Sequence, residues 1–128
     1  MTVGLDTSVL VRLLVGEPTA QAEAARGLLA TGDPVAVSDL VVGEAYFALR
    51  HHYRVPHRKA LGALRGLLGD PRVHPTGVAR GVVAAMPDAE SAPGLMDRLI
   101  HGDYGRDGVA LVTFDQYAAH LAGARLLR

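Results

Sequence analysis

Four acidic side chains lie where acids are poorly tolerated, inside apolar runs or at their ends: Asp6 in VGLDTSVLVRLL, Glu44 in VVGEAYFAL, Asp97 in GLMDRLI and Asp115 in VALVTFD. A carboxylate taken out of water is costly or changes its protonation unless something compensates. For several semi-buried carboxylates from distant segments, the most economical shared partner is a divalent cation held among them. An all-oxygen ligand set selects Mg2+ or Mn2+, which keep several waters and need only one or two direct carboxylates. Two such ions about 3.5–4 Å apart can activate water and stabilise a leaving oxygen, as phosphodiester hydrolysis requires. One such acid alone is explained as well by a cap or a buried ion pair with arginine. Four acids from four segments would need four separate partners, and few of the 13 Lys and Arg residues lie in apolar contexts.

Other chemistries find less support. No Cys, Ser or His nucleophile is arranged with a base, and the 6 histidines form no H-x-x-x-H or H-E-x-x-H pair, which argues against a zinc hydrolase. His101 follows Asp97 by one helical turn and could reach the edge of an acidic site, although a surface histidine is the simpler reading. The absence of cysteine excludes disulfides and thiolate zinc sites and fits a reducing cytoplasm. Net charge is zero, so any attraction for nucleic acid must be local. The apolar runs fall far short of the roughly 20 residues that span a bilayer, so no membrane association is expected. MTVGLDTS lacks the basic start of a signal peptide. A chain of 128 residues that is 49% hydrophobic fits one domain with a real core, residues 1–128.

Strands and helices alternate along the chain. VGLD reads as a buried first strand, with Thr7 and Ser8 as caps of a helix through Val9–Val15. Gly16 and Pro18 break that helix, and Thr19 caps AQAEAARGLLA. VAV is a second strand, Ser38 caps a periodic helix to about Tyr53, and Pro56 starts HRKALGALRGLL, closed by Gly69-Asp70-Pro71. Residues 73–83 carry a short strand-like piece and a short helix. A polar segment, Pro87–Pro93, precedes the helix bearing Asp97, and Gly102–Gly108 reads as a loop. VALVTF is the clearest strand, and ARLL could add another. This alternation predicts a three-layer α/β/α sandwich around a mostly parallel central sheet. Asp6 and Asp115 then both follow carboxyl ends of strands, where ligand crevices of open α/β sheets lie. Glu44 has Leu40, Val41, Phe47 and Ala48 at helical spacing, which predicts that it points with the core-facing stripe, and Asp97 lies beside Leu95, Met96, Leu99 and Ile100.

The ordered set GLDTSVLVRLL, E-x-x-x-x-L (Glu44–Leu49), D-x-L-I (Asp97–Ile100) and VTFD followed by AGARLL resembles the PIN domain, and most closely the VapC-like toxins of type II toxin–antitoxin pairs. The resemblance spans nearly the whole chain. It implies a PIN-like fold, and it implies that Asp6, Glu44, Asp97 and Asp115 bind Mg2+ or Mn2+ and catalyse RNA cleavage, with Thr7, Ser8 and Thr113 as supporting hydroxyls. Asp6 and Asp97 match the family's strongest metal positions. The chain departs from the pattern in the Met86–Gly94 segment and at HGDYGRDG after D-x-L-I, which places Asp103 as a further nearby acid, although a solvated loop acid is the simpler reading.

RHHYRVPHRK concentrates Arg50, Tyr53, Arg54, Arg58 and Lys59, the best candidates for RNA contact, with a solvated helix end as the alternative. The resemblance also implies a homodimer, to which the amphipathic HRKALGALRGLL and SDLVVGEAYFALR would lend apolar surface, and an antitoxin whose arginine satisfies the carboxylates and displaces the cation. Asp6→Asn is expected to relieve repulsion among crowded carboxylates. Rival readings are a housekeeping RNA-processing PIN nuclease, a non-catalytic binding module, and a haloacid-dehalogenase-like Mg2+ phosphatase. The last needs an acid where Ser8 stands.

Overall fold

Three short valine-bearing strands pair side by side and set the frame. The structure, a computed structural model, describes residues 2–128. β1 (Val3–Gly4), β2 (Val35–Val37) and β3 (Val73–Pro75) form one parallel sheet in the order β1-β2-β3, with Val3 opposite Val35 and Val35 opposite Val73. The helices are α1 (Thr7–Val15), α2 (Thr19–Ala30), α3 (Asp39–His51), α4 (His57–Leu68), α5 (Ala79–Ala85) and α6 (Leu95–Arg106). The expected α/β architecture with a parallel sheet is what forms. Val35, Val37, Val73, Leu10, Leu61, Leu64 and Leu95 are buried in one core. Each such side chain contributes about 1.5–3 kcal/mol through removal from water. No described helix is long and apolar enough to cross a membrane.

Several local readings hold and others are corrected. Ser38 caps α3, its hydroxyl accepting the Val41 N–H at 3.2 Å. Asp6, not Thr7 or Ser8, occupies the cap position of α1, and both hydroxyl residues lie inside the helix. α6 runs through the segment read as a loop: a Cβ at Gly102 would stand 2.9 Å from Val78 and 3.2 Å from Val82, so glycine there permits close packing on α5 rather than ending the helix. α4 buries Ala60, Leu61, Leu64 and Leu68 in the chain's own core, so its apolar stripe is not spare surface.

The largest departure concerns VALVTF. Only β4 (Val112–Thr113) is extended, and it pairs in parallel with β5 (Arg125–Leu126) as a separate two-stranded ribbon. Val109, Val112 and Phe114 are 50%, 45% and 77% exposed, so much of the run that reads as the clearest strand stands in water.

Beyond β3 the chain is held by an acid from another helix. The Asp39 carboxylate accepts the N–H groups of Val78 at 3.0 Å and Ala79 at 3.0 Å, satisfying the start of α5. A Cβ on Gly77 would fall 2.6 Å from the Asp39 Cγ. Asp39→Ala should cost about 0.5–2 kcal/mol, the usual loss for a helix cap, and Gly77→Ala about 1–3 kcal/mol through overpacking. Urea unfolding of the double variant should show a loss smaller than the two single losses added, because removing the carboxylate makes room for the new methyl group. Additive losses would contradict this packing.

Candidate functional site

Asp6 leaves the sheet where β1 stops. Pairing continues for one residue, Leu5 N–H donating to Ala36 O at 2.9 Å, and Asp6 then turns the chain into α1. Its carboxylate accepts the Ser8 hydroxyl at 2.8 Å. That bond first, and then the Thr7 backbone N–H, hold its pKa below the ordinary aspartate value. α1 buries Leu10 and Val11 and packs on α3, which buries Val42, Ala45 and Leu49. Across this contact Thr7 Oγ1 donates to Glu44 Oε1 at 3.4 Å, tying Glu44 to the turn that carries Asp6.

α3 meets α6 through Gly43. A Cβ there would take the space of the Met96 terminal methyl group, and Leu99 lies 3.6 Å from the same position. The first turn of α6 therefore lies alongside Glu44. Asp97 sits in that turn, half-buried and with no hydrogen-bond or ion-pair partner among the described residues. A helix N-terminus favours such a charge, and its oxygens are free for a ligand.

The premise of semi-buried carboxylates is corrected: Asp6, Glu44 and Asp115 are exposed. On α3 the stripe Leu40–Glu44–Phe47 faces solvent, while Val42, Ala45 and Leu49 fill the core, so of the apolar neighbours of Glu44 Leu40 and Phe47 are surface residues and Val41 and Ala48 are partly buried. Among the described residues no three His, Cys, Asp or Glu side chains gather closely enough to hold a metal ion. The expected repulsion among crowded carboxylates therefore has no basis in this arrangement.

Asp115 is not drawn in. It travels with the β4–β5 ribbon, and its Oδ1 accepts the N–H groups of Tyr117 at 2.7 Å and Ala118 at 3.0 Å, capping a 3₁₀ turn (Ala118–His120). Thr113 Oγ1 in turn accepts the Asp115 N–H at 3.0 Å. His101 donates from Nε2 to Ala122 O at 2.7 Å, joining the ribbon to α6. Asp103 is exposed and lies 3.6 Å from Arg106.

A PIN domain family model matches residues 3–124. The chain belongs to the PIN domain family. A likeness to a solved structure is also found: Mycobacterium tuberculosis VapC20, a sarcin-ricin loop cleaving toxin, at 20% identity and a TM-score of 0.44, over 98% of each chain. No curated protein matches.

In this PIN domain the basic stretch divides. Arg50 donates to Val55 O at 3.1 Å and to Glu90 at 2.5 Å, so its guanidinium is engaged in holding the fold. Tyr53 lies beside Arg12, Glu17 and Pro18 at the α1–α2 corner. Arg54, Arg58 and Lys59 are exposed. A feature not anticipated is a groove of about 610 Å3 between α3 and the head of α6, lined by Thr7, Glu44, Phe47, His52, Leu95 and Met96 among others. The signal was present in the Leu40–Glu44–Phe47 spacing, which marks a helix with two apolar stripes, only one of which a core can bury.

Asp115 supplies a test that separates capping from other duties. Asp115→Asn keeps an oxygen for the Tyr117 and Ala118 N–H groups, whereas Asp115→Ala removes it. Hydrogen exchange at these amides should quicken in the alanine variant alone, by about the factor of five that 1 kcal/mol of lost capping implies. Equal exchange in both variants would contradict the capping geometry.

Proposed function

We propose that this PIN domain is a Mg2+- or Mn2+-dependent endoribonuclease, the toxin of a type II toxin–antitoxin pair. The reading is supported by Thr7, which ties Glu44 to the turn that carries Asp6, and by the contact of α3 with α6, whose first turn carries Asp97, without a partner among the described residues. Their donors suit a hard cation: all are carboxylate oxygens, and such ions need only one or two direct carboxylates. Asp6 and Asp97 are the proposed direct ligands. Glu44 orients waters with its second oxygen while Thr7 holds the first. Asp115 completes the quartet by drawing the ribbon in and exchanging its cap for the site. A bound divalent cation would polarise the phosphodiester and provide a nucleophilic water at neutral pH.

The toxin reading draws on the ordered motif set from GLDTSVLVRLL to VTFD. In it the partner is an antitoxin whose arginine pairs with the exposed carboxylates. The chain acts as a single domain in the cytoplasm and forms a homodimer, to which the exposed Leu40, Ile100 and Tyr104 of α3 and α6 lend apolar surface. A housekeeping RNA-processing nuclease would share these residues but lack a small inhibitory protein encoded beside it.

Cleavage of single-stranded RNA in saturating Mg2+ and Mn2+ tests the chemistry. Asp6→Asn and Asp97→Asn should each lower the rate by roughly 100-fold or more while keeping the wild-type circular dichroism spectrum. Wild-type rates in both variants would place the active site elsewhere.

A further inference from the structure

We propose that the groove between α3 and α6 is a base-stacking slot, in which an unpaired RNA base lies on the Phe47 ring while the neighbouring phosphodiester reaches Glu44 and Asp97. The proposal rests on the nuclease reading above. Phe47 is 56% exposed, a large ring left in water one helical turn from Glu44 on the same face of α3. Two imidazoles pack on it: the His51 ring centroid lies 4.3 Å away at a 41° tilt, and the His52 ring 6.2 Å away at 75°. His51 does not line the groove, so it supports Phe47 from outside, while His52 shares the groove wall.

At about 610 Å3 the space accepts a nucleoside-sized ligand. Its lining is apolar apart from Thr7, Glu44, His52 and Tyr46, whose hydroxyl is engaged with His57, which suits a flat π-face bound without regard to base identity. Charge separates an RNA occupant from an apolar peptide. The chain runs from His52 directly to the exposed cations Arg54, Arg58 and Lys59, which offer contacts to backbone phosphates that a peptide side chain would not use. In the proposal, cations and carboxylates serve different parts of one strand's path, with the aromatic ring one helical turn from Glu44.

The test reads binding apart from cleavage. A single-stranded oligoribonucleotide carrying 2-aminopurine is titrated with Asp6→Asn protein in EDTA, and stacking is read as fluorescence quenching. Adding Phe47→Tyr should preserve quenching and affinity. Adding Phe47→Leu, which keeps apolar bulk without the ring, should abolish quenching and weaken binding about ten-fold, with the salt dependence unchanged because phosphate contacts remain. Unaltered quenching and affinity in the leucine variant would overturn the slot, whatever the cleavage assays show. Quenching that depends on the ring in a protein whose wild type never cleaves RNA would support the slot and overturn the nuclease reading alone. If Phe47→Leu spares RNA binding but weakens capture of the inhibitory protein encoded next to this chain, the groove holds a protein and the proposal falls.

Discussion

Because residue 43 has no side chain, Met96 and Leu99 settle directly on the backbone of α3, and everything of interest at the candidate site is built around that contact. The approach sets Asp97 beside the helix that carries Glu44, and it makes Met96 one wall of the groove whose other wall bears Phe47. Packing here is close to that of a solid, so even one methyl group at residue 43 would have to be met by moving the flexible end of the Met96 side chain. α1 is fixed to the same helix by buried Leu10 and Val11, and the Thr7–Glu44 bond adds a directional link between them. Three elements are thereby brought to one place by van der Waals contact, and the carboxylates ride on them.

The acids of this PIN domain are for the most part solvated, which changes why they matter. A buried cluster would demand a cation to exist at all. Solvated carboxylates make no such demand, and the packing of the helices beneath them sets where they stand. Asp6 illustrates the difference: Ser8 and the Thr7 N–H hold it ionised without any cation. Asp97 is the complement, an acid at the head of a helix with no partner among the described residues.

Much of the fold was legible in sequence because its signals are local. Apolar strands between capped helices announce a parallel α/β sheet, and Ser38 and Pro56 mark helix starts where the structure has them. Glycine was harder to read. Gly102 looks like a helix breaker, yet it is present because α5 comes close, a fact about a distant segment. The Glu44 stripe failed for a related reason: periodicity shows that α3 has an apolar face at Leu40 and Phe47 but not that Val42, Ala45 and Leu49 already satisfy the core. VALVTF misled most, since a run of β-branched and aromatic residues carries no information about which sheet receives it. In the structure the receiving partner is β5, and the outer edge of β1 pairs with no strand among the described residues.

Three of the four acids thus lie on elements held together by the core, and the fourth lies on a ribbon held to α6 through His101. The proposal that all four serve one divalent cation can be examined directly by following backbone amide signals during titration with substoichiometric Mn2+, whose unpaired electrons broaden nearby nuclei. Broadening should begin together at residues 6–8, 44 and 97 and extend to residue 115. Uniform broadening without a focus, or a focus on another surface, would contradict a metal site built from these carboxylates.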